Sequence, residues 1–154
     1  MRLILWWVFI SFLIIIFVYD LRYYLILDEV VLPAIVFTFL ANLILGVSPL
    51  SMIYSGLIGG GFFFLQDVIS KGAWIGGGDI RLGVLMGFML GWPQILTALF
   101  LAYILGSLVA VGLLAVKKKK WADKMPFGTF LTLSTFIVGL YGPKLIQFYL
   151  SLFR

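Results

Sequence analysis

Long stretches of this chain carry no charge. Residues 3–19, 30–48, 51–66, 82–116 and 127–143 are free of Asp, Glu, Lys and Arg. Within them apolar residues run on without alternating with polar ones. A strand with one wet face alternates, so continuous runs of this length point to helices in apolar surroundings. Hydrophobic residues make up 64% of the 154 and charged residues 11%, against about 25% charged in a soluble domain. A soluble fold of this size has no interior large enough to hide that surface. The bilayer must act as its solvent, and there the backbone satisfies its own polar groups in helices or a closed barrel. The chain therefore reads as all-α and integral to a membrane, with residues 1–154 as one domain and the lipid bilayer as a partner.

A crossing helix needs about 20 apolar residues. The runs predict six transmembrane helices, over 3–19, 30–48, 51–69, 80–91, 94–116 and 127–150. Gly91-Trp92-Pro93 divides 80–116, because proline disrupts a helix interior and restricts the residue before it. Gly142-Pro143 is expected to kink the last helix or end it early. Basic residues set orientation. With the loops 20–29, 70–79 and 117–125 on the cytoplasmic side, Arg22, Lys71, Arg81, the run Lys117 to Lys120 and Lys124 lie inside. Arg2, Lys144 and Arg154 lie outside, and so does the N-terminus. Residues 1–20 have the basic start of a signal peptide, but Tyr19-Asp20-Leu21 lacks the small residues of a cleavage site, which favours a retained span. The lysine run reads as an anchor on the anionic leaflet. Without a soluble basic face, no nucleic-acid partner is expected. The sequence is silent on oligomeric state.

The chain has neither Cys nor His. That excludes a thiol nucleophile, a His-based triad and a zinc site with Cys or His ligands. No metal and no cofactor are expected. Acid–base chemistry falls to six carboxylates, Asp20, Asp28, Glu29, Asp67, Asp79 and Asp123, with Lys and Tyr. In this topology all six lie at or near the inner ends of the spans. Acids within membrane segments are functional candidates by default, because a mid-helix charge costs about 2.5–3.5 kcal/mol on insertion scales. Asp20 ends the first span, where its ordinary reading is an interfacial acid paired with Arg22. Asp79 opens the fourth, where its ordinary reading is a carboxylate stabilised by the helix dipole. Asp67 is expected to pair with Lys71 one turn on.

The neighbours of Asp79 add weight to it. Gly76-Gly77-Gly78 precede it, a run suited to close backbone approach or to the docking of a peptide. Gly83, Gly87 and Gly91 follow at intervals of four, a stripe of small residues that lets helices approach closely in lipid. The carboxylate shares that face. Ala98, Ala102, Gly106 and Ala110 form a similar stripe on the fifth span, and Gly56 and Gly60 a lone GxxxG on the third.

Gly76-Gly77-Gly78-Asp79-Ile80-Arg81-Leu82 resembles the GxGD signature of prepilin peptidases and the related archaeal preflagellin peptidases. Tyr19-Asp20-Leu21 through Leu27-Asp28 to Pro33 resembles that family's first aspartate block, with Leu27 where the family has Pro. Met125-Pro126-Phe127-Gly128 resembles its late Pro-Phe-Gly segment, and Asn42 falls where related sequences often carry Asn. These blocks span nearly the whole chain in the family's order. Presenilin-like proteases also use GxGD, but their Pro-Ala-Leu segment is missing here.

The resemblance implies an aspartic-type endopeptidase of the cytoplasmic membrane, with its catalytic side facing the cytoplasm. Its partner would be a type IV prepilin-like preprotein whose basic leader it removes. Asp20 and Asp79 are the implied catalytic pair. Gly76, Gly78, Arg81, Asp28, Pro126, Phe127 and Gly128 are implied to bind substrate or support the site. Bacterial members often carry an N-terminal domain with zinc-binding cysteines that methylates the product, and this chain resembles the peptidase part without it. Two carboxylates at close range share one proton, so one can act as base on a water and the other as acid on the scissile carbonyl. Arg81 is placed to keep a carboxylate ionised or to anchor topology, and Asp28 is a second-choice carboxylate or a salt-bridge partner. The expected arrangement is that helices one and four meet at the inner leaflet. The competing classes are a transporter or assembly subunit using acids as ion ligands, and a Ser/Lys membrane protease, for which Ser70-Lys71 in a loop is a poor candidate.

Overall fold

A computed structural model describes residues 2–116 and 125–151. It contains six helices and, among the described residues, no strand. They are α1 (Arg2–Tyr23), α2 (Asp28–Ile44), α3 (Pro49–Ser70), α4 (Gly77–Leu90), α5 (Gln94–Ala115) and α6 (Phe127–Ser151). The lysine run 117–120, Asp123 and Lys124 lie outside the described residues.

Six helices match the number expected, but not all are long enough for a full crossing. Four are long and apolar enough: Ile4–Tyr23, Pro49–Ser70, Gln94–Ala115 and Phe127–Gln147. The 17 residues of α2 and the 14 of α4 fall short of the usual length. Elsewhere the boundaries move by a turn or less. Asp20 does not end α1, which runs one turn further. Pro143 lies inside α6, which continues to Ser151 and does not end early.

The short α4 sits at the centre, packed against α2, α3, α5 and α6. Leu82, Leu85 and Met86 are fully buried there. Its tightest contact is with α3, backbone to backbone. A methyl group on Gly83 would lie 2.5 Å from the Gly59 carbonyl oxygen, and one on Gly87 would strike the Ser55 carbonyl and, at 2.5 Å, the Gly56 nitrogen. The α3 counterparts of the Gly83/Gly87 stripe are Gly59 and Ser55-Gly56, while the Gly56/Gly60 pair read from the sequence takes the side chains of Phe88 and Val84. Gly91 does not extend that stripe. It is the α4 C-cap at φ +70° and ψ −176°, with open space around it, a positive-φ conformation that glycine adopts freely and that ends the helix. Asn42 of α2 donates from Nδ2 to the Phe88 carbonyl at 2.7 Å, satisfying one of the exposed carbonyls of that last turn.

On the far side α6 packs along α1 and α5. Gly128 and Gly139 are the close points with α1, the second beneath the Trp6 ring. The buried hydroxyls of Thr132, Ser134 and Thr135 donate back to α6 carbonyls at 2.7–2.9 Å, so α6 carries a polar stripe without orphan groups. Large apolar side chains such as Trp7, Leu57, Ile69 and Phe100 point outward, as helices in lipid require.

Gly83→Ala should lower the thermal midpoint in detergent sharply, since overpacking against backbone costs about 1–3 kcal/mol or more. Gly61→Ala, with nothing within 4 Å, should leave it unchanged or raised. Equal midpoints would refute the close α3–α4 approach.

Candidate active site

Asp20 occupies the last turn of α1 and is 4% exposed. It does not pair with Arg22, whose guanidinium lies 5.7 Å from the Tyr23 ring centre. Its Oδ2 instead accepts the Thr129 backbone N–H at 2.6 Å and the Thr129 hydroxyl at 3.0 Å. Asp20 thereby caps the first turn of α6, where free N–H groups and the helix dipole favour an anion. Gly128 makes this possible, because a Cβ there would lie 3.0 Å from the Asp20 carboxyl and 2.9 Å from Ile26 Cδ1. Pro126 stands just before the helix, and Phe127 opens it with its ring against Tyr103 (5.0 Å between centres) and Phe63 (6.1 Å).

Asp79 is the third residue of α4. Its Oδ2 accepts the Gly76 N–H at 3.2 Å, the reach-back half of a capping box. Its Oδ1 is buried and has no hydrogen-bond partner. Of the three preceding glycines, only Gly78 is forced by close approach: a Cβ would lie 2.8 Å from Ile26 Cβ. Gly77 has open space beside it, and a Cβ on Gly76 would make only an ordinary contact, 3.8 Å from Asp79 Oδ2, so close approach requires neither.

Ile26, from the short α1–α2 connection, therefore touches the residue before Asp79 and the residue before Thr129. Gly78 adjoins Asp79, and Gly128 lies against both Ile26 and the Asp20 carboxyl, so Ile26 links the segments that carry the two acids. Helices α1 and α4 share no broad interface. What joins the two ends is Ile26 and the N-terminus of α6.

Arg81 and Asp28 form an ion pair between α4 and α2, with side chains 43% and 45% exposed. It is the single ion pair among the described residues. The expected Asp67–Lys71 pair does not form, because Lys71 takes the left-handed C-cap position (φ 52°) and leaves the α3 face. Ile26, Thr129 and Tyr103 escaped the sequence reading. Thr129 was the most accessible of them, as a hydroxyl residue in the first turn of a helix opened by Pro-Phe-Gly.

The fold and site define a class: a bundle of apolar helices with two acids from separate helices gathered at one end. The chain belongs to the type IV leader peptidase family, whose model matches residues 7–111. That match takes in Asp20, Asp28 and Gly76 to Arg81 and stops before Pro126. The chain is similar to the prepilin leader peptidase/N-methyltransferase of Bacillus subtilis, at 34% identity over 94% of this chain and 58% of that protein. It is similar to the protein of that name from Aeromonas salmonicida at 27% identity, over 86% of this chain and 47% of the relative, and to that from Pseudomonas putida at 32% over 54% and 29%. The chain thus spans about half the length of the first two relatives. No solved structure matches it.

Ile26→Ala should cost about 2–4 kcal/mol, the range for emptying a buried Ile site. Asp28→Asn should cost under about 1 kcal/mol, because its ion pair is half-exposed and screened. Thermal midpoints of the two variants would test this order, and a larger loss for Asp28→Asn would contradict it.

Proposed function

We propose that the chain is an aspartic-type endopeptidase that removes the basic leader from type IV prepilin-like preproteins, with Asp20 and Asp79 as its catalytic pair. The observation that carries this reading is that the segments bearing Asp20 and Asp79 meet at Ile26, where the ends of α1, α4 and α6 join. Family membership supports the reaction class, and the relatives' names supply the substrate class. Residues 1–154 act as one peptidase domain.

At close range the two carboxyls share one proton. The ionised one takes a proton from water as the water oxygen bonds to the scissile carbonyl carbon. The protonated one gives its proton to the carbonyl oxygen. As the tetrahedral species collapses, the C–N bond breaks and the amine takes the proton held by the first carboxyl. A hydroxyl proton returns to the second, and the pair is restored. Gly77, two residues before Asp79 and with open space beside it, leaves room for an extended substrate backbone. Arg81 and Asp28 tie α4 to α2 and support the site from its rim.

The proposed topology has six crossings, with α2 and α4 as short ones. The C-terminal end of α1 and the N-terminal ends of α2, α4 and α6 then face the cytoplasm. Arg22, Lys71 and Arg81 at that end favour this orientation.

Co-expression with a prepilin should yield processed pilin from the parent chain. Asp20→Asn and Asp79→Asn should insert normally and leave the leader attached, with rates lower by about 10³-fold or more. Processing by either variant would remove that residue from the pair, and no processing by the parent would refute the assignment.

The chain has no Cys, so single replacements can report topology. With an impermeant maleimide on intact cells, Val47→Cys should label, and Trp74→Cys should label only after lysis. The reverse pattern would invert the orientation.

A further inference from the structure

Asp20 and Asp79 are held in different ways. Asp79 has one donor at 3.2 Å on one oxygen and none on the other. Asp20 has two donors on one oxygen, and both come from Thr129. Thr129 is buried, as Asp20 is, so water competes little for either group. The hydroxyl of Thr129 also behaves unlike its neighbours. Those of Thr132, Ser134 and Thr135 turn back onto carbonyls of their own helix, the ordinary arrangement for Ser and Thr in an apolar helix. The Thr129 hydroxyl reaches across to α1.

We infer that Thr129 is a positioning residue for the pair: its N–H and hydroxyl grip Oδ2 of Asp20, fix the plane of that carboxyl, and leave Oδ1 to face a water. This rests on the peptidase reading above. A carboxyl gripped through two donors to one oxygen has little freedom to rotate, and hydrolysis needs its second oxygen aimed at the water. Gly128 admits the carboxyl to the helix end, and Thr129 sets its angle. The grip lies behind the reacting atoms, so its loss should slow the chemical step and leave substrate binding alone.

The test uses the full chain in proteoliposomes with a synthetic peptide that carries a basic leader followed by an apolar segment. Thr129→Val deletes the hydroxyl while keeping shape and N–H, and Thr129→Ser keeps the hydroxyl. Thr129→Val should lower kcat by about tenfold or more, as expected for one lost hydrogen bond to a charged group. Its KM should stay within about twofold, the pattern of an interaction used after binding. Thr129→Ser should restore kcat. The infrared bands of the Asp20 carboxyl, isolated by subtracting the Asp20→Asn spectrum, should shift in Thr129→Val and not in Thr129→Ser. Thr129→Cys, a weak donor of similar size, replaces the Val variant if that one does not accumulate folded. Parental kcat with unshifted bands overturns this inference and leaves the peptidase reading intact. A parent that cuts nothing overturns the peptidase reading, and the infrared bands alone then decide whether Thr129 fixes Asp20.

Discussion

Everything at the candidate site depends on how closely the α4 backbone can approach its neighbours. Gly83 and Gly87 set α4 against α3 with no side chain between them, and Gly78 sets its first turn against Ile26. In lipid no hydrophobic drive joins apolar helices, so van der Waals contact at short range has to hold them. A single added methyl at Gly83 or Gly87 meets backbone, which has no rotamer to escape into, and at Gly78 it meets Cβ of Ile26, which no rotamer moves. The same contacts that hold α4 in the bundle also fix where its N-terminus, and with it Asp79, can stand.

Helix ends in an apolar medium are themselves a demand for polar partners. The first turn of each helix has N–H groups with no carbonyl inside the helix to meet, and lipid offers none. Asp20 meets that demand for α6 and Asp79 for α4. A capping role and the proposed catalytic role need not compete here. Each carboxyl spends one oxygen on a helix end, and in neither does a hydrogen bond engage the other. Local structural chemistry thus delivers two acids to one end of the bundle.

Much of this was legible in the residues. Charges are so scarce that Asp20 and Asp79 stand out, and runs of apolar residues bounded by Gly and Pro marked six helices within about a turn. The spacing of Gly83 and Gly87 announced a packing face. What could not be read were relations across long separations. Asp20 and Thr129 are 109 positions apart, and no periodicity links them. Ile26 looked like any apolar loop residue, and its importance comes from two glycines on other helices. Gly91 fitted the stripe by count, yet its backbone conformation put it to another use. The length of α4 was apparent in the sequence, but its enclosure by four other helices was not.

That enclosure has a consequence for how water gets in. Fourteen residues rise about 21 Å, while the hydrocarbon slab is about 30 Å thick. The taller helices around α4 can match the slab, but α4 cannot. In the proposed six-crossing topology, the shortfall is taken up by thinned lipid or by an aqueous recess at one or both ends. With the recess at the end that carries Asp79, the proposed hydrolysis would need no separate water channel. A hydrophobic mismatch built into one stunted helix would itself draw the second reactant to the acids.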